Sequence, residues 1–234
     1  MKTKLFNKEH DLFKSLSEEW WDENGKFKIL HKIRPIRIKY ILDQINEKKL
    51  KNLDILDLGC GGGLVSESLS RLGANVTGID FVKNNIEVAK EHSTKKKLKI
   101  NYKYANIETL KIKNKYDLII MYEILEHLDD WESFLLNISK NLKSTGIIVI
   151  STINRNALSK FAAIYLAENI LGWIPKGTHT YKKFIKPQEI TNIMESKNFI
   201  LKNLKGLIFD PIMMDWKLSN NTSINYFCSY HKSN

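Results

Sequence analysis

Four glycines crowd into the run Gly59-Cys60-Gly61-Gly62-Gly63, and a carboxylate, Asp80, follows 21 residues after Gly59. Glycine tolerates positive φ and lets a ligand come close to the main chain. A carboxylate at the end of the next strand can accept hydrogen bonds from two ribose hydroxyls. Asp54 to Leu58 is an apolar run of strand length ahead of the glycines, and a helical pattern begins at Leu64. Strand, glycine loop, helix, strand and carboxylate together form the layout of a nucleoside-binding α/β unit. The spacing narrows the nucleoside. A dinucleotide loop reads G-x-G-x-x-G, with the last glycine in the helix and the pyrophosphate on the helix N-terminus. Here Leu64 occupies that sixth place, and an acidic residue, Asp57, stands just before the loop. Such a loop suits a ligand carrying a sulfonium and an amine rather than phosphates.

These residues therefore read as an S-adenosylmethionine site, with Gly59 and Gly61 letting the backbone meet the methionine portion and Asp80 taking the ribose. A second group of chemical residues follows at Glu123, Glu126 and His127. Their i, i+3, i+4 spacing puts them on one face of a helix if Glu123–Leu128 is helical. Oxygen and imidazole ligands so arranged could hold a divalent cation such as Mg²⁺, or His127 alone could act as a base. The plainer alternative is two acids favouring the positive end of a helix, with His127 packed beside them.

The elements that must position these groups alternate along the chain. Strands are expected at Asp54–Leu58, Asn75–Ile79, Lys99–Tyr104, Tyr116–Met121 and Gly146–Ser151. Helices are expected at Leu64–Leu72, Lys83–Ser93, Trp131–Leu142 and Gln188–Ser196. Alternation of this kind predicts a parallel sheet covered on both faces, with right-handed crossovers. Residues 1 to 50 read as a mostly helical cap, with an aromatic pair at Trp20-Trp21, and residues 51 to 234 as the main domain. Phe199–Phe209 and Ile224–Tyr230 could complete the sheet.

At 234 residues, 43% apolar and 27% charged, the chain has enough apolar surface for one full core. Its first twenty residues carry charges throughout, and no uncharged apolar run approaches the roughly 18 residues of a membrane span. The two cysteines, Cys60 and Cys228, show neither a disulfide framework nor a zinc spacing. Both features fit a cytoplasmic protein. The net charge of +11 favours an anionic surface, nucleic acid or lipid, unless it is only a solvated lysine coat. Residues 158–174 are strongly apolar with charges only at Lys160 and Glu168, and Lys176, Lys182, Lys183 and Lys186 follow. An apolar helix flanked by lysines can lie in a bilayer interface, or it can be a lid packed on the core.

The glycine loop with Asp80 resembles the class I S-adenosylmethionine-dependent methyltransferases. A finer likeness is to the ubiquinone biosynthesis O-methyltransferases. It rests on Trp20-Trp21-Asp22, Gly25-x-Phe27-Lys28-x-Leu30-His31, Pro35-x-Arg37, Glu123-Ile124-Leu125-Glu126-His127 and Ser151-Thr152-x-Asn154-Arg155-Asn156. It continues through Pro175-Lys176-Gly177-Thr178-His179 to Lys183-Phe184-Ile185-Lys186-Pro187. Tyr122 departs from it, standing where relatives often carry methionine, and residues 94–115 are nearly featureless. The resemblance implies a Rossmann-like, seven-stranded, mostly parallel sheet whose final strand is antiparallel. It implies O-methylation of phenolic hydroxyls on polyprenylated ubiquinone precursors at two points of their assembly. It also implies a clamp of Arg37 on the methionine carboxylate and Tyr122 beside the cofactor. A membrane-facing insertion at about 157–187, peripheral attachment to the inner membrane and a biosynthetic complex are further expectations. Rivals remain. A nucleic-acid methyltransferase would explain the charge, but Met121-Tyr122-Glu123-Ile124 stands where base-nitrogen enzymes carry Asn/Asp-Pro-Pro-aromatic. A non-catalytic scaffold that binds cofactor or lipid is the other.

Overall fold

Leu118 and Ile120 belong to one core and Ile119 and Met121 to another, all four fully buried. A strand apolar on both faces needs a layer of helices on each side. The computed structural model, which describes residues 16–45, 50–159, 181–210 and 212–233, has that three-layer form. Helix α1 spans Lys28–Ile45, and strand β1 (Asp54–Leu58) leads through the glycine loop into α2 (Leu64–Arg71). Strand β2 (Asn75–Asp80), α3 (Lys83–Lys95), β3 (Ile100–Tyr104), β4 (Tyr116–Tyr122), α4 (Trp131–Ser139) and β5 (Leu142–Ile153) follow. The chain finishes with α5 (Pro187–Glu195), β6 (Phe199–Asp210), β7 (Asp215–Ser219) and β8 (Asn225–Lys232).

The sheet order is β3-β2-β1-β4-β5-β8-β6-β7, with the first five strands parallel. β8 runs antiparallel to both β5 and β6, as expected of a final strand. Among the described residues the count is eight rather than seven, because the chain turns after β6 and adds the short edge strand β7, paired from Asp210↔Asp215 to Gly206↔Ser219. One face carries α4 and α5, with Phe134, Leu135, Ile138, Ile190 and Met194 in its core. The other carries α1 and α2 through Ile33, Tyr40, Ile41, Val65 and Leu69. Strand order reverses between β1 and β4, so a crevice opens at their carboxyl ends, where open α/β sheets bind ligands. Leu58, Asp80 and Tyr122 end there.

Most of the apolar segment 158–174 lies outside the described residues. No helix among those described is long and apolar enough to cross a membrane.

Candidate active site

The glycine loop is fixed by its own main chain. Gly59 and Cys60 both donate to the Ile79 carbonyl, at 2.8 and 3.1 Å, and Gly61 donates to Asp80 Oδ2 at 2.9 Å. Asp80 Oδ1 accepts from the Val82 amide (2.8 Å) and from Asn85 Nδ2 (3.2 Å). The carboxylate thus ties the loop after β1 to the start of α3. Positive φ at Gly59 (70°), Gly61 (52°) and Gly63 (88°) makes the turn possible. The space beside these glycines is filled by protein, contrary to the expectation that it admits cofactor. A Cβ at Gly59 would lie 2.5 Å from Ile124 Cδ1, and one at Gly61 2.4 Å from Trp20 Cη2. What the loop offers a ligand is its outer edge beside Asp80.

Arg37 comes to the same place from α1. Its guanidinium lies 5.1 Å from the Tyr122 ring centre, and Nη2 is 3.5 Å from Glu123 Oε1. Tyr122 donates its hydroxyl to the Arg37 carbonyl at 3.1 Å. The tyrosine is therefore a buried platform that fastens α1 to β4 and supports the arginine, more than an open wall of the pocket. Arg37 Nε is buried without a hydrogen-bond partner. A buried donor left over on a planar guanidinium fits an incoming carboxylate. Together with Asp80 for hydroxyls and Asp57 for a cation, the donor set fits the three ends of S-adenosylmethionine.

Asp57 is buried and accepts from Ser66 Oγ at 2.6 Å. Burial pushes its carboxyl up to about 6, partly offset by Ser66 and Arg37, while the nearby Asp80 charge adds to the rise. A carboxyl raised in this way weakens the ligand-free fold once ionised, and that cost disappears as pH falls through about 6. A bound ammonium or sulfonium does the reverse, favouring the ionised form. Cofactor affinity is therefore expected to be flat at pH 7–8.5 and to fall by up to about tenfold per unit below pH 6. Calorimetric titration across that range checks this, and Asp57→Asn should abolish the slope.

The acceptor side differs from the expected helix. Glu123 leaves β4 with φ of 52°, a strained conformation for a side-chain-bearing residue, and only Leu125–His127 form a single 3₁₀ turn. The sharp turn swings Glu123 under Arg37, where Oε1 accepts from Ser151 Oγ at 2.6 Å. Glu126 points inward, fully buried, and accepts from Thr152 Oγ1 at 2.9 Å. Burial first, and then the Glu123 charge, hold its carboxyl well above the carboxylate range. His127 ends the turn half-buried, and its carbonyl accepts from Lys183 Nζ at 3.1 Å. Glu123, Glu126 and His127 therefore do not assemble into a three-ligand cation site. Among the described residues no group of three or more such side chains is placed to hold a metal ion. The physical reason is the tight turn, which sends Glu126 into the core, where burial disfavours its charged form.

Arg37, Asp57, Asp80, Tyr122 and Glu123 are thus neighbours around one crevice, with Glu126 behind them. Sequence reasoning missed Trp20, Asn85 and Ser66 as parts of the site. The Trp20-Trp21 pair was a visible signal without a role, as was Ser151-Thr152. Asn85 and Ser66 gave none, since single polar residues on a helix pattern look like surface.

Comparison with known proteins gives the family and the fold. A family profile described as a methyltransferase domain matches residues 30–202. The ubiquinone biosynthesis O-methyltransferase of Pelagibacter ubique is 49% identical over 97% of this chain and 98% of its own length. That of Rickettsia prowazekii is 45% identical over 96% and 90%. Among solved structures, the magnesium protoporphyrin IX methyltransferase of Synechocystis, with bound SAH, superposes with a TM-score of 0.69 at 16% identity, over 96% of this chain and 98% of that one. The plantazolicin methyltransferase BpumL gives 0.65 at 18% identity, with both chains fully covered. These distant likenesses show the fold.

Proposed function

This chain belongs to the ubiquinone biosynthesis O-methyltransferase family, and from that premise we propose that it methylates a phenolic hydroxyl on polyprenylated ring precursors of ubiquinone. S-adenosylmethionine is the methyl donor. The observation that carries the reading is near-full-length identity of 49% joined to one crevice containing Arg37, Asp57 and Asp80.

When bound, the donor supplies an electrophilic methyl on sulfur, displaced in line by the acceptor oxygen. The chain's own task is to hold two reactants in line and keep water out. Asp80 accepts from the ribose hydroxyls, Arg37 pairs its free Nε with the methionine carboxylate, and Asp57 faces the positive end. Tyr122 and Glu123 hold Arg37 in place from below and beside. A phenol has a pKa near 10 and attacks poorly until its proton leaves. His127, half-buried at the end of the turn after β4, takes that proton as the carbon–oxygen bond forms and the carbon–sulfur bond breaks. Burial and the Glu123 charge beside it disfavour a second negative charge on Glu126, which would repel a phenolate.

A prenylated acceptor resides in a bilayer, so collecting it requires contact with the membrane surface. The apolar segment 158–174 with its following lysines supports peripheral attachment to anionic lipid, and a biosynthetic complex is a compatible context. The protein should float with anionic vesicles in a density gradient, and a variant lacking that segment should stay at the bottom. Labelled-methyl transfer tests the activity itself. A prenyl-tailed catechol should be labelled in preference to small soluble catechols, and RNA not at all. Label in RNA alone would overturn the reading.

A further inference from the structure

Trp20 follows the single 3₁₀ turn Ser17–Glu19 and is buried with Leu16, Phe27 and Leu64. Its indole stacks on Phe27, centroids 4.1 Å apart and planes 9° from parallel. The ring covers the glycine loop: a Cβ on Gly62 would lie 2.3 Å from Trp20 Cγ, and one on Gly61 2.4 Å from Trp20 Cη2. Trp21 grips the same loop, donating Nε1 to the Gly62 carbonyl at 3.0 Å while stacking on His92 at 3.4 Å.

The polar end of Trp20 does something an apolar plug would not need. Nε1 donates to Asn85 Oδ1 at 2.8 Å, and Asn85 Nδ2 donates to Asp80 Oδ1 at 3.2 Å. All three side chains are buried, Asn85 to 2% exposure. A buried indole needs an acceptor, and a buried amide needs partners at both ends. Phenylalanine opposite leucine would fill this space without either demand. The chain of bonds ends on the acid at the tip of β2. Because Val82 and Asn85 both engage Oδ1 and Gly61 engages Oδ2, the carboxylate cannot rotate.

We propose that Trp20 is a positioning residue for the cofactor, orienting the Asp80 carboxylate toward the ribose through Asn85 and holding the Gly61-Gly62 main chain by contact. The proposal rests on Asp80 as the ribose-binding group. Trp20→Phe keeps an aromatic ring beside Phe27 and over Gly62 but removes the N–H, and Asn85→Leu cuts the same relay from its other side while leaving the indole in place. Each variant is titrated calorimetrically with S-adenosylhomocysteine and with its 2′-deoxy analogue, and assayed for methyl transfer at saturating donor.

Trp20→Phe should weaken S-adenosylhomocysteine about tenfold, the effect of one hydrogen bond to a charged network. The 2′-deoxy analogue should weaken by clearly less, because one of the two hydroxyl contacts being oriented is already missing. Adding Trp20→Phe to Asn85→Leu should cost nothing further, since both cut one relay. kcat and the acceptor KM should stay at wild-type values. Wild-type affinity in Trp20→Phe, equal losses for both ligands, or losses that multiply in the double variant would each overturn the proposal. A wild-type protein that binds both ligands equally would instead overturn the Asp80 reading, and the relay with it.

Discussion

Replacing Asp80 by alanine is expected to weaken S-adenosylhomocysteine binding by two to three orders of magnitude. Each hydrogen bond to a charged group is worth about 1.5–3 kcal/mol, and two ribose hydroxyls are lost together. Every 1.4 kcal/mol is tenfold, so about 3–4 kcal/mol gives that range. The substitution also strips the acceptor from Gly61 N, Val82 N and Asn85 Nδ2, all buried, which loosens the loop that shapes the site. Asp80→Asn keeps the shape and one oxygen, so its loss should be intermediate, near tenfold to thirtyfold by the same arithmetic at about half the energy. Calorimetry measures both. A dissociation constant for Asp80→Ala within threefold of wild type would remove the residue from the site.

The second large effect is on chemistry rather than binding. His127→Ala should lower kcat by roughly 10²- to 10⁴-fold, the usual contribution of a general base, with S-adenosylhomocysteine affinity within twofold of wild type. Acceptor choice separates a base from a packing role. A nitrocatechol already ionised at neutral pH needs no proton removed, so the deficit of the variant should shrink toward none with that acceptor. Full activity of His127→Ala on an ordinary catechol, or an equal deficit on both acceptors, would contradict the assignment. Glu126→Gln should be mild by comparison, since burial and the neighbouring Glu123 charge already disfavour the ionised carboxyl.

How much of this was legible in the sequence depended on whether the signal was periodic or tertiary. The strands from Asp54 to Tyr122 were readable because a buried parallel strand is an uninterrupted apolar run ended by a glycine or an acid, and Asp80 was marked by its spacing alone. The extra edge strand was not, because Asp215–Ser219 is short and mixed in polarity, and only pairing with β6 makes it a strand. Glu123, Glu126 and His127 were read on a helix that does not form. Their spacing satisfies an α-turn, but the exit from β4 needs a left-handed residue at Glu123, and nothing local announces that. The glycines were found for a partly wrong reason. Their missing side chains make room for Trp20 and Ile124, distant partners that no spacing rule could supply. Asn85 was invisible for the same cause, being polar for the sake of Trp20 and Asp80.

The central claim is a single crevice in which Asp80 holds adenosine's ribose while Arg37 receives the amino-acid carboxylate. A crystal structure of the protein soaked with S-adenosylhomocysteine measures it directly. Both ribose hydroxyls should lie within hydrogen-bond distance of the Asp80 carboxylate, and the ligand carboxylate should sit on Arg37 Nε. Ligand bound elsewhere, or density absent from this crevice under saturating soak, would contradict the account.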